Sequence, residues 1–529
     1  MSKLIDQHLA LIYQHDMQSH LRVGLVGIEK ECLRTDLEGV IATTDHPASL
    51  GSALTHPYIT TDYSEALLEF VTPPLSSSEQ AIQFLSEIHR FVYPNIHNEC
   101  LWPASMPCKL HGEQSIRIAE YGSSNLGRMK NVYRRGLGYR YGKVMQVIAG
   151  IHVNLSMADT FWELWKDALK QDLQLQSFIN DQYFRLIRNL QRVGWLIPYL
   201  FGASPAVDKS FSHQGVRDLQ AWDDNTLYAE YATSLRLGDI GYTNHRENEI
   251  GVKACYDNLS EYVKCLTRAI ETPYAPYEEI GVKVNGEYRQ LNANILQIEN
   301  EYYSTVRPKQ VAHSNEKPTH ALLDRGVQYV EIRSIDINPF SPFGISLEQL
   351  RLIEVLFVYC LLSDEALIDR KEREEIDINE HEVSHQGRKP GLFLRKKGES
   401  VSLSQWAREI FIDLEKIAEC MDGANSKNEY ANAIQHFMSC VDSVDETLSA
   451  KMLRSMKDKK LSYYEYIESL GKEYCHFYSG KKNLDDVDSR IVQEVARSLS
   501  KQQTIEQSDT VDFTTFLNDY FSTSYSESN

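Results

Sequence analysis

Two glutamates lie two residues apart in a segment with the alternation of a β-strand. In the stretch GIEKE at residues 27–31, Glu29 and Glu31 stand at positions i and i+2, so both carboxylates project from one face of a strand. Two adjacent anions favour a bound cation between them. An isolated pair of this kind is more often a solvated strand edge, so it indicates a site only in company with other residues.

Two further carboxylates accompany an apolar strand. Asp62 precedes the hydrophobic run at residues 67–71, and Glu69 interrupts that run. A carboxylate among hydrophobic neighbours is costly unless it is paired or bound to a metal. Glu69 is therefore predicted to have a positively charged neighbour.

Two later segments repeat this arrangement. Glu331 and Arg333 share one strand face, and so do His152 and Asn154. Each pair alone also fits a half-exposed strand. Together, the four glutamates, the aspartate and the histidine form an oxygen-rich set suited to Mg²⁺ or Mn²⁺, the ions that commonly accompany ATP phosphates.

Cationic residues are placed where they can complement such a site. They are Arg236, Arg307, Lys309 and Arg333. Each alone is more often a structural ion pair. Beside the carboxylates, they indicate a clamp for phosphate or for a substrate carboxylate.

These side chains require a sheet to hold them. Alternation of apolar and polar residues predicts strands over residues 23–34, 145–156 and 327–338, with a shared polar face. Helical spacing predicts a helix after a capping box of Ser76 and Glu79.

The later part of the chain is predicted to be mostly helical. Apolar spacing predicts a helix over residues 347–362 and another that ends at Asp422 and Gly423. The charged stretch 364–385 between them is predicted to be a surface excursion. Beyond Ser402 nearly all of the chain has the pattern of polar amphipathic helix.

The amino-acid composition argues against several classes of function. The 529 residues include 55 Lys and Arg against 74 Asp and Glu, a net charge of −19, which argues against a nucleic-acid partner. No apolar run reaches the roughly 20 residues that span a bilayer, and the N-terminus lacks the pattern of a secretory leader. Nine cysteines without a CxxC pair indicate reduced thiols. We expect a cytoplasmic protein without a membrane partner.

The chain also resembles the glutamate–cysteine ligases of the proteobacterial type. The resemblance is continuous from about Leu21 to Pro342. It rests on the segments GIEKECLR at 27–34, ITTD at 59–62, EALLEF at 65–70, PYLFGASP at 198–205 and SIDINPF at 334–340. Residues 167–181 and 206–228 follow the family pattern poorly. Some members pair a cysteine at the position of Cys108 with one near residues 161–167, where this chain has none.

The resemblance implies an α+β fold of the glutamine synthetase-like catalytic type. In such a fold an antiparallel sheet is curved into a bowl and flanked by helices. We expect residues 1–400 to form the catalytic domain and residues 401–529 to form a helical C-terminal region packed on it.

The implied activity is the ATP-dependent joining of the γ-carboxyl of L-glutamate to the amine of L-cysteine through γ-glutamyl phosphate. This is the first step of glutathione biosynthesis, and its products are γ-glutamylcysteine, ADP and phosphate. By the same resemblance, Glu31, Asp62 and Glu69 hold one Mg²⁺ or Mn²⁺, and Glu29, His152 and Glu331 hold a second.

The resemblance also implies how the substrates are bound. Arg236 would hold a substrate carboxylate, Arg333 would stabilise the phosphoryl group, and Arg307, Lys309 and Arg333 would bind ATP. The remaining substrate-binding positions are Tyr133, Leu137, Gln146, Asn154, Tyr242 and Tyr303. A monomer is expected.

Three other interpretations compete. Residues 381–385 read HEVSH, a zinc-protease HExxH motif, but Gly387 and Pro390 follow closely and no apolar face accompanies it. A different ligase of the same superfamily would use another amine. An acidic Ca²⁺ buffer would leave the arginines unexplained, and the chain has no EF-hand spacing.

Overall fold

The computed structural model describes residues 2–211, 219–241, 253–313, 316–363, 365–423, 427–479 and 487–522. Helices predominate. Their bounds are α1 Ser2–Gln14, α2 Ser78–Val92, α3 Asn125–Tyr141, α4 Asp159–Ala168, α5 Leu175–Val193, α6 Leu196–Phe201, α7 Leu259–Glu271, α8 Ala275–Ile280, α9 Pro318–Arg325, α10 Leu347–Leu362, α11 Arg370–Gln386, α12 Leu403–Asp422, α13 Glu429–Asp442, α14 Leu448–Lys459, α15 Tyr463–Ser479, α16 Ser489–Ser508 and α17 Phe513–Ser522.

The strands form one large sheet and three small ones within the described ranges. They are β1 Val23–Thr35, β2 Ile59–Thr61, β3 Leu67–Val71, β4 Cys100–Leu101, β5 Ile151–Met157, β6 Ala206–Asp208, β7 Gln220–Ala221, β8 Thr226–Tyr228, β9 Lys283–Val284, β10 Glu287–Tyr288, β11 Val306–Lys309, β12 Tyr329–Ile335, β13 Phe393–Lys396 and β14 Glu399–Ser402. The large sheet has the order β11-β12-β5-β1-β3-β2, and β4 pairs with the end of β1. Its pairings are antiparallel, which confirms the predicted α+β fold.

The two faces of this sheet differ sharply in polarity. Ile28, Val153 and Ile332 are fully buried and pair with one another across β1, β5 and β12. Helices α2, α5 and α6 contact strands β1, β11 and β12 respectively. Because strand side chains alternate between faces, Glu29 and Glu331, which adjoin these aliphatics in sequence, belong to the opposite face.

The strand predicted over residues 145–156 is shorter than expected and begins at Ile151. Residues Met145–Val147 form a single 3₁₀ turn instead. The amide groups of residues 146, 147 and 148 donate to the carbonyls of Lys143, Val144 and Met145, so they are not available to a neighbouring strand. Alternating side chains imitate a strand here, but the backbone hydrogen bonds are local.

The capping box predicted at Ser76 is displaced by one residue. Helix α2 begins at Ser78 and its N-cap is Ser77, whose hydroxyl accepts from the Gln80 amide. The hydroxyl of Ser76 instead donates to the Gln80 side chain at 3.0 Å. The predicted helices at 347–362 and up to Asp422 are confirmed.

The prediction of a surface excursion over residues 364–385 is wrong, since most of that stretch is helix α11. Asp369 caps it by accepting from the Glu372 amide at 2.8 Å. Its buried face includes Asn379, whose side-chain amide bonds both the N–H and the C=O of Arg395 in β13. The helix thus buries polar groups in hydrogen bonds, and a search for apolar periodicity does not detect it.

The helices after Ser402 pack against the rest of the chain. Helix α13 contacts α10, α15 contacts β4 and β6, and α16 contacts α2. Phe513 and Leu517 of α17 form a small core with Met129 and Val132 of α3. Among the described helices, none combines the length and the apolar content that a membrane span requires.

Candidate active site

The predicted acidic residues of the strands share one face of the large sheet with His152. Glu31 lies opposite Glu69 in the pairing of β1 with β3, and Glu29 lies opposite His152 in the pairing of β1 with β5. Glu331 of β12 is flanked by Asn154 on β5 and by Arg307 on β11. Residues far apart in sequence are therefore brought together by strand register alone.

This face forms one wall of a cavity of about 630 Å³. The predicted residues that line the cavity are Glu29, Glu31, Asp62, Glu69, Tyr133, Leu137, Gln146, His152, Arg236, Tyr303, Arg307, Lys309, Glu331 and Arg333. Asn154 is not part of the wall. Its amide donates to Glu29 Oε1 at 2.9 Å, so it orients that carboxylate. Tyr242 lies outside the described residues.

Glu29, His152 and Glu331 form a compact set of ligand atoms. One atom from each lies within 4.8 Å of the other two. His152 Nδ1 is 3.1 Å from Glu29 Oε2 and 4.0 Å from Glu331 Oε1. Burial, followed by the positive charge of Arg333, lowers the pKa of His152, so the imidazole is held neutral as a metal ligand must be.

Glu31, Asp62 and Glu69 form a second acidic set. Burial and the charge of Asp62 raise the pKa of Glu31 to about 8. Burial and the charges of Glu29 and Asp62 raise the pKa of Glu69 well above its usual range. These carboxylates repel one another in the absence of a cation. Binding of a divalent ion would restore their ionised form.

The carboxylate of Glu331 is close to two cationic side chains. Its Oε1 lies 3.2 Å from Arg333 Nη1 and 3.4 Å from Lys309 Nζ. Burial alone would raise the pKa of Glu331, but Lys309 and Arg333 together hold it well below its ordinary value. Among the described residues, its second oxygen, Oε2, is buried without a hydrogen-bond partner.

The residues fit the divalent ions expected from the sequence. The two sets are oxygen-rich with one imidazole. Burial and neighbouring carboxylates raise the pKa values of two of the carboxyl groups, and Glu331 Oε2 is a buried acceptor without a donor in the described structure. These features are typical of sites completed by a hard cation.

Arg236 reaches the cavity from the 3₁₀ turn Leu235–Leu237. Ser234 caps this turn and also donates its hydroxyl to Asp336 Oδ1 at 2.9 Å. The Arg236 guanidinium donates to the carbonyl of Arg333 at 2.8 Å and lies 3.7 Å from Asp336. Its Nε and Nη1 are buried and have no hydrogen-bond partner in the described structure, so these groups can receive a substrate carboxylate.

Sequence reasoning missed a face of helix α3. Lys130, Arg134 and Tyr141 line the cavity from this helix beside Tyr133 and Leu137. Arg134 Nη2 lies 3.8 Å from Asp62 Oδ1, and its Nε donates to the Asp62 carbonyl. Spacings of three and four residues along this segment place these side chains on one helix face, which was the available signal.

A further residue that sequence reasoning missed is Tyr520. It belongs to α17, near the end of the described chain, and lines the cavity with Pro318 and Glu316. Lys317 Nζ lies 5.9 Å from the centre of its ring. No local pattern connects a C-terminal tyrosine to a sheet that begins at Val23, so only the folded chain reveals this neighbour.

Known proteins resemble this chain in sequence and in fold. A family model described as glutamate-cysteine ligase matches residues 9–383. The glutamate–cysteine ligase of Alcanivorax borkumensis is 44% identical over 525 residues, covering 98% of this chain and 99% of that protein. The corresponding protein of Pseudomonas putida strain W619 is 44% identical over 522 residues, covering 98% of each.

A solved structure extends the agreement. The crystal structure of the Francisella tularensis glutamate–cysteine ligase in complex with AMP superposes with a TM-score of 0.88 at 35% identity, covering 94% of this chain and 98% of that one. Fold, site and relatives together define an ATP-dependent carboxylate–amine ligase. The chain belongs to the glutamate–cysteine ligase family, whose members condense glutamate with cysteine in the first step of glutathione biosynthesis.

Proposed function

We propose that the cavity above the large sheet carries out this ligation and that the residues on its wall have the roles implied by the resemblance. The observation that carries the proposal is their convergence. Two acidic sets and four cationic side chains predicted from separate segments line a single cavity. Activation of a carboxylate by phosphoryl transfer requires negatively and positively charged side chains close to one another.

The first step is phosphoryl transfer. One oxygen of the glutamate γ-carboxylate attacks the γ-phosphorus of ATP, the bond to the bridging oxygen breaks, and ADP leaves with that electron pair. Arg333, fixed against Glu331 at 3.2 Å, is positioned to stabilise negative charge on the transferred group. Arg307 and Lys309 on the adjacent strand hold the phosphates of ATP.

The second step is amide formation. The neutral amine of L-cysteine attacks the carbonyl carbon of γ-glutamyl phosphate, the carbon–oxygen bond to phosphate breaks, and a proton leaves the nitrogen. Inorganic phosphate therefore carries away one oxygen of the original γ-carboxylate. Exclusion of water from the cavity would protect the acyl phosphate during this interval.

We propose Mg²⁺ or Mn²⁺ at the two acidic sets, with Glu31, Asp62 and Glu69 holding one ion and Glu29, His152 and Glu331 holding the other. When bound, such ions neutralise charge on the phosphate oxygens and align the transferred group. The chain's own contribution is to keep His152 neutral and the carboxylates aimed into the cavity, with Asn154 orienting Glu29 at 2.9 Å.

Arg236 is proposed to bind the α-carboxylate of an amino-acid substrate, and Tyr133, Leu137, Gln146, Tyr242 and Tyr303 to line the amino-acid pockets. The support for Arg236 is that its buried Nε and Nη1 have no hydrogen-bond partner in the described structure. Asn154, which contacts Glu29, is proposed to act on substrate binding through that carboxylate.

Gly150 tests the position of Arg236. A Cβ at Gly150 would lie 2.1 Å from Arg236 Nη2, so Gly150→Ala must displace the guanidinium. We expect the KM for glutamate to rise by about tenfold or more, the loss of roughly 1.4 kcal/mol of binding free energy. Steady-state kinetics with glutamate as the varied substrate measure this KM.

Gly471→Ala is the matched control, because a Cβ there would meet no atom closer than 3.4 Å. Its KM should equal that of the unmodified protein. An unchanged KM for glutamate in Gly150→Ala would contradict the role of Arg236.

The C-terminal helices are proposed to form a region that packs on the catalytic part and completes the cavity. Helix α17 is held to α3 by Phe513, which stacks under the Arg128 guanidinium at 4.5 Å. The Asn125 amide groups also bond Asp509 and the Val511 carbonyl, at 2.5 and 2.9 Å. Tyr520 of this helix lines the same cavity as Arg307 and Lys309.

Tyr520 is therefore proposed to contact the nucleotide. Loss of an aromatic ring beside a base removes about 1–3 kcal/mol of stacking, so Tyr520→Ala should raise the KM for ATP by about tenfold while the KM for glutamate stays within about twofold. Tyr520→Phe, which keeps the ring, should leave both constants unchanged. Equal KM values for ATP in all three proteins would exclude this contact.

The working unit is proposed to be a single chain, because the two acidic sets and the four cationic side chains that the proposed reaction needs already line one cavity of this chain. The acid surplus and the nine cysteines without a CxxC pair support a cytoplasmic enzyme that acts on small molecules and binds no nucleic acid.

A product assay tests the proposed reaction. The protein is incubated with ATP, Mg²⁺, L-glutamate and a panel of amines, and the products are identified by mass. We expect γ-glutamylcysteine with L-cysteine, in equal amount to ADP and phosphate. Preference for a different amine would assign the protein another substrate, and absence of any γ-glutamyl product would refute the proposal.

A further inference from the structure

A third group of metal-ligating side chains lies outside the cavity described above. His381 and His385, the histidines of the HExxH motif, stand one turn apart on α11, and their ring centres are 4.6 Å apart. Asp239 approaches them from the segment that follows the Leu235–Leu237 turn. In the described structure, the three residues each offer one potential ligand atom, and these three atoms lie within 4.8 Å of one another.

The separations suit a tetrahedral ion. His381 Nε2 is 2.9 Å from Asp239 Oδ1, and His385 Nε2 is 3.9 Å from Asp239 Oδ2. Bonds of 2.0–2.2 Å to Zn²⁺ place neighbouring ligand atoms about 3.3 Å apart in a tetrahedron. The observed values bracket that distance, so small side-chain rotations would close the site.

The imidazole of His385 already has the tautomer that leaves the Nε2 lone pair for a metal ion. Its Nε2 accepts a hydrogen bond from the Asp239 amide at 3.1 Å, so the lone pair of this nitrogen is directed toward the Asp239 segment. Gly238 leaves room for the ring, because a Cβ there would lie 2.6 Å from Nε2. A metal ion would replace the amide as the partner of this lone pair.

The backbone that carries the three residues is firmly connected. The Thr233 and Ser234 amides both donate to the Ser384 carbonyl, at 3.0 and 3.2 Å. Thr233 also donates its hydroxyl to the Val383 carbonyl at 2.9 Å. The helix and the segment that leads to Asp239 are thus held together independently of the candidate ligands, which favours a preformed site.

The ligand types distinguish this group from the acidic sets of the active site. Two imidazoles and one carboxylate favour Zn²⁺ or a similar transition ion over Mg²⁺. We propose that Asp239, His381 and His385 bind Zn²⁺. Asp239, His381 and Glu382 also line a second cavity of about 550 Å³.

The test is a titration of the full chain with ZnCl₂ by calorimetry, in saturating Mg²⁺ to occupy the oxygen-rich sites. We expect one Zn²⁺ per chain, with affinity reduced at least about tenfold in His381→Ala and in Asp239→Asn. His436→Ala, which removes an exposed histidine of α13, is the matched control and should bind as the unmodified protein does.

Two further measurements keep the result interpretable. Co²⁺ in place of Zn²⁺ should give the intense visible absorption of a four-coordinate ion, and His381→Ala should abolish it without lowering the melting temperature of the metal-free protein. Glu29→Gln should still bind Zn²⁺ at the Asp239–His381–His385 site. Zn²⁺ binding is thus tested independently of the proposed function. Binding weaker than about 1 mM, or equal binding by His381→Ala, would overturn the proposal.

Discussion

Glu29→Gln is expected to lower kcat by about 10³-fold while the protein remains folded. Glutamine has the size of glutamate and keeps a carbonyl oxygen for the Asn154 amide, which now donates at 2.9 Å. The substitution removes the negative charge beside His152 and replaces Oε2, which lies 3.1 Å from His152 Nδ1, with an amide NH₂ group. Because the carboxylates and the arginines act together on the transferred phosphoryl group, loss of one charge should impair chemistry far more than substrate binding.

The measurement is phosphate release with both amino acids and Mg²⁺ at saturation, beside Glu163→Gln as control. Glu163 is an exposed residue of α4 outside this cavity, and its substitution should leave kcat unchanged. If Glu29→Gln released phosphate at the unmodified rate, the assignment of the sheet face as the site of phosphoryl transfer would be wrong.

Arg333→Gln is expected to reduce kcat by about 10³-fold or more, as removal of an arginine that stabilises a transferred phosphoryl group does elsewhere. Arg333→Lys keeps the charge but loses the planar fork, so an intermediate rate is expected. In the folded protein Arg333 is partly buried against Glu331, and Lys309 lies 3.4 Å from that carboxylate. The glutamate is therefore still partly compensated, and the fold should persist.

Arg370→Gln serves as the control for Arg333, since the Arg370 side chain is 94% exposed and its ion pair in the described structure is with Glu374, one turn along α11. Pre-steady-state formation of ADP separates chemistry from product release. Unimpaired ADP formation by Arg333→Gln would remove this arginine from the phosphoryl-transfer step.

The sheet face was predictable from the sequence for a simple reason. Strand side chains alternate with a period of two, so Glu29 and Glu31 share a face whatever the tertiary context. Glu69 adds the energetic argument that a carboxylate in an apolar strand needs compensation. The pattern does not predict the register of strand pairing. That register sets Glu31 opposite Glu69 and Glu29 opposite His152.

Other parts of the site depend on long-range contacts. Arg134 meets Asp62, 72 residues away, and Tyr520 reaches the cavity from a helix near the chain's end. Helix α11 was missed because polar groups, among them Asn379 and its bonds to Arg395, make up much of its buried face. Apolar periodicity detects helices that bury hydrophobic stripes, and it fails where the buried face is hydrogen-bonded.

Helix α11 also changes the interpretation of the HExxH motif. The glycine and proline that follow it do not prevent a helix, which runs to Gln386. The two histidines consequently share a face, as they would in a zinc protease. Membership of the ligase family argues against proteolysis, and the geometry supports the binding of an ion.

Isotope transfer tests the central claim most directly. L-glutamate labelled with ¹⁸O in both γ-carboxyl oxygens is converted with ATP and L-cysteine, and the phosphate released is examined by mass spectrometry. Attack by the carboxylate on ATP predicts one ¹⁸O in each phosphate and one retained in γ-glutamylcysteine. Phosphate without label, formed while the dipeptide accumulates, would contradict an acyl phosphate made in this cavity.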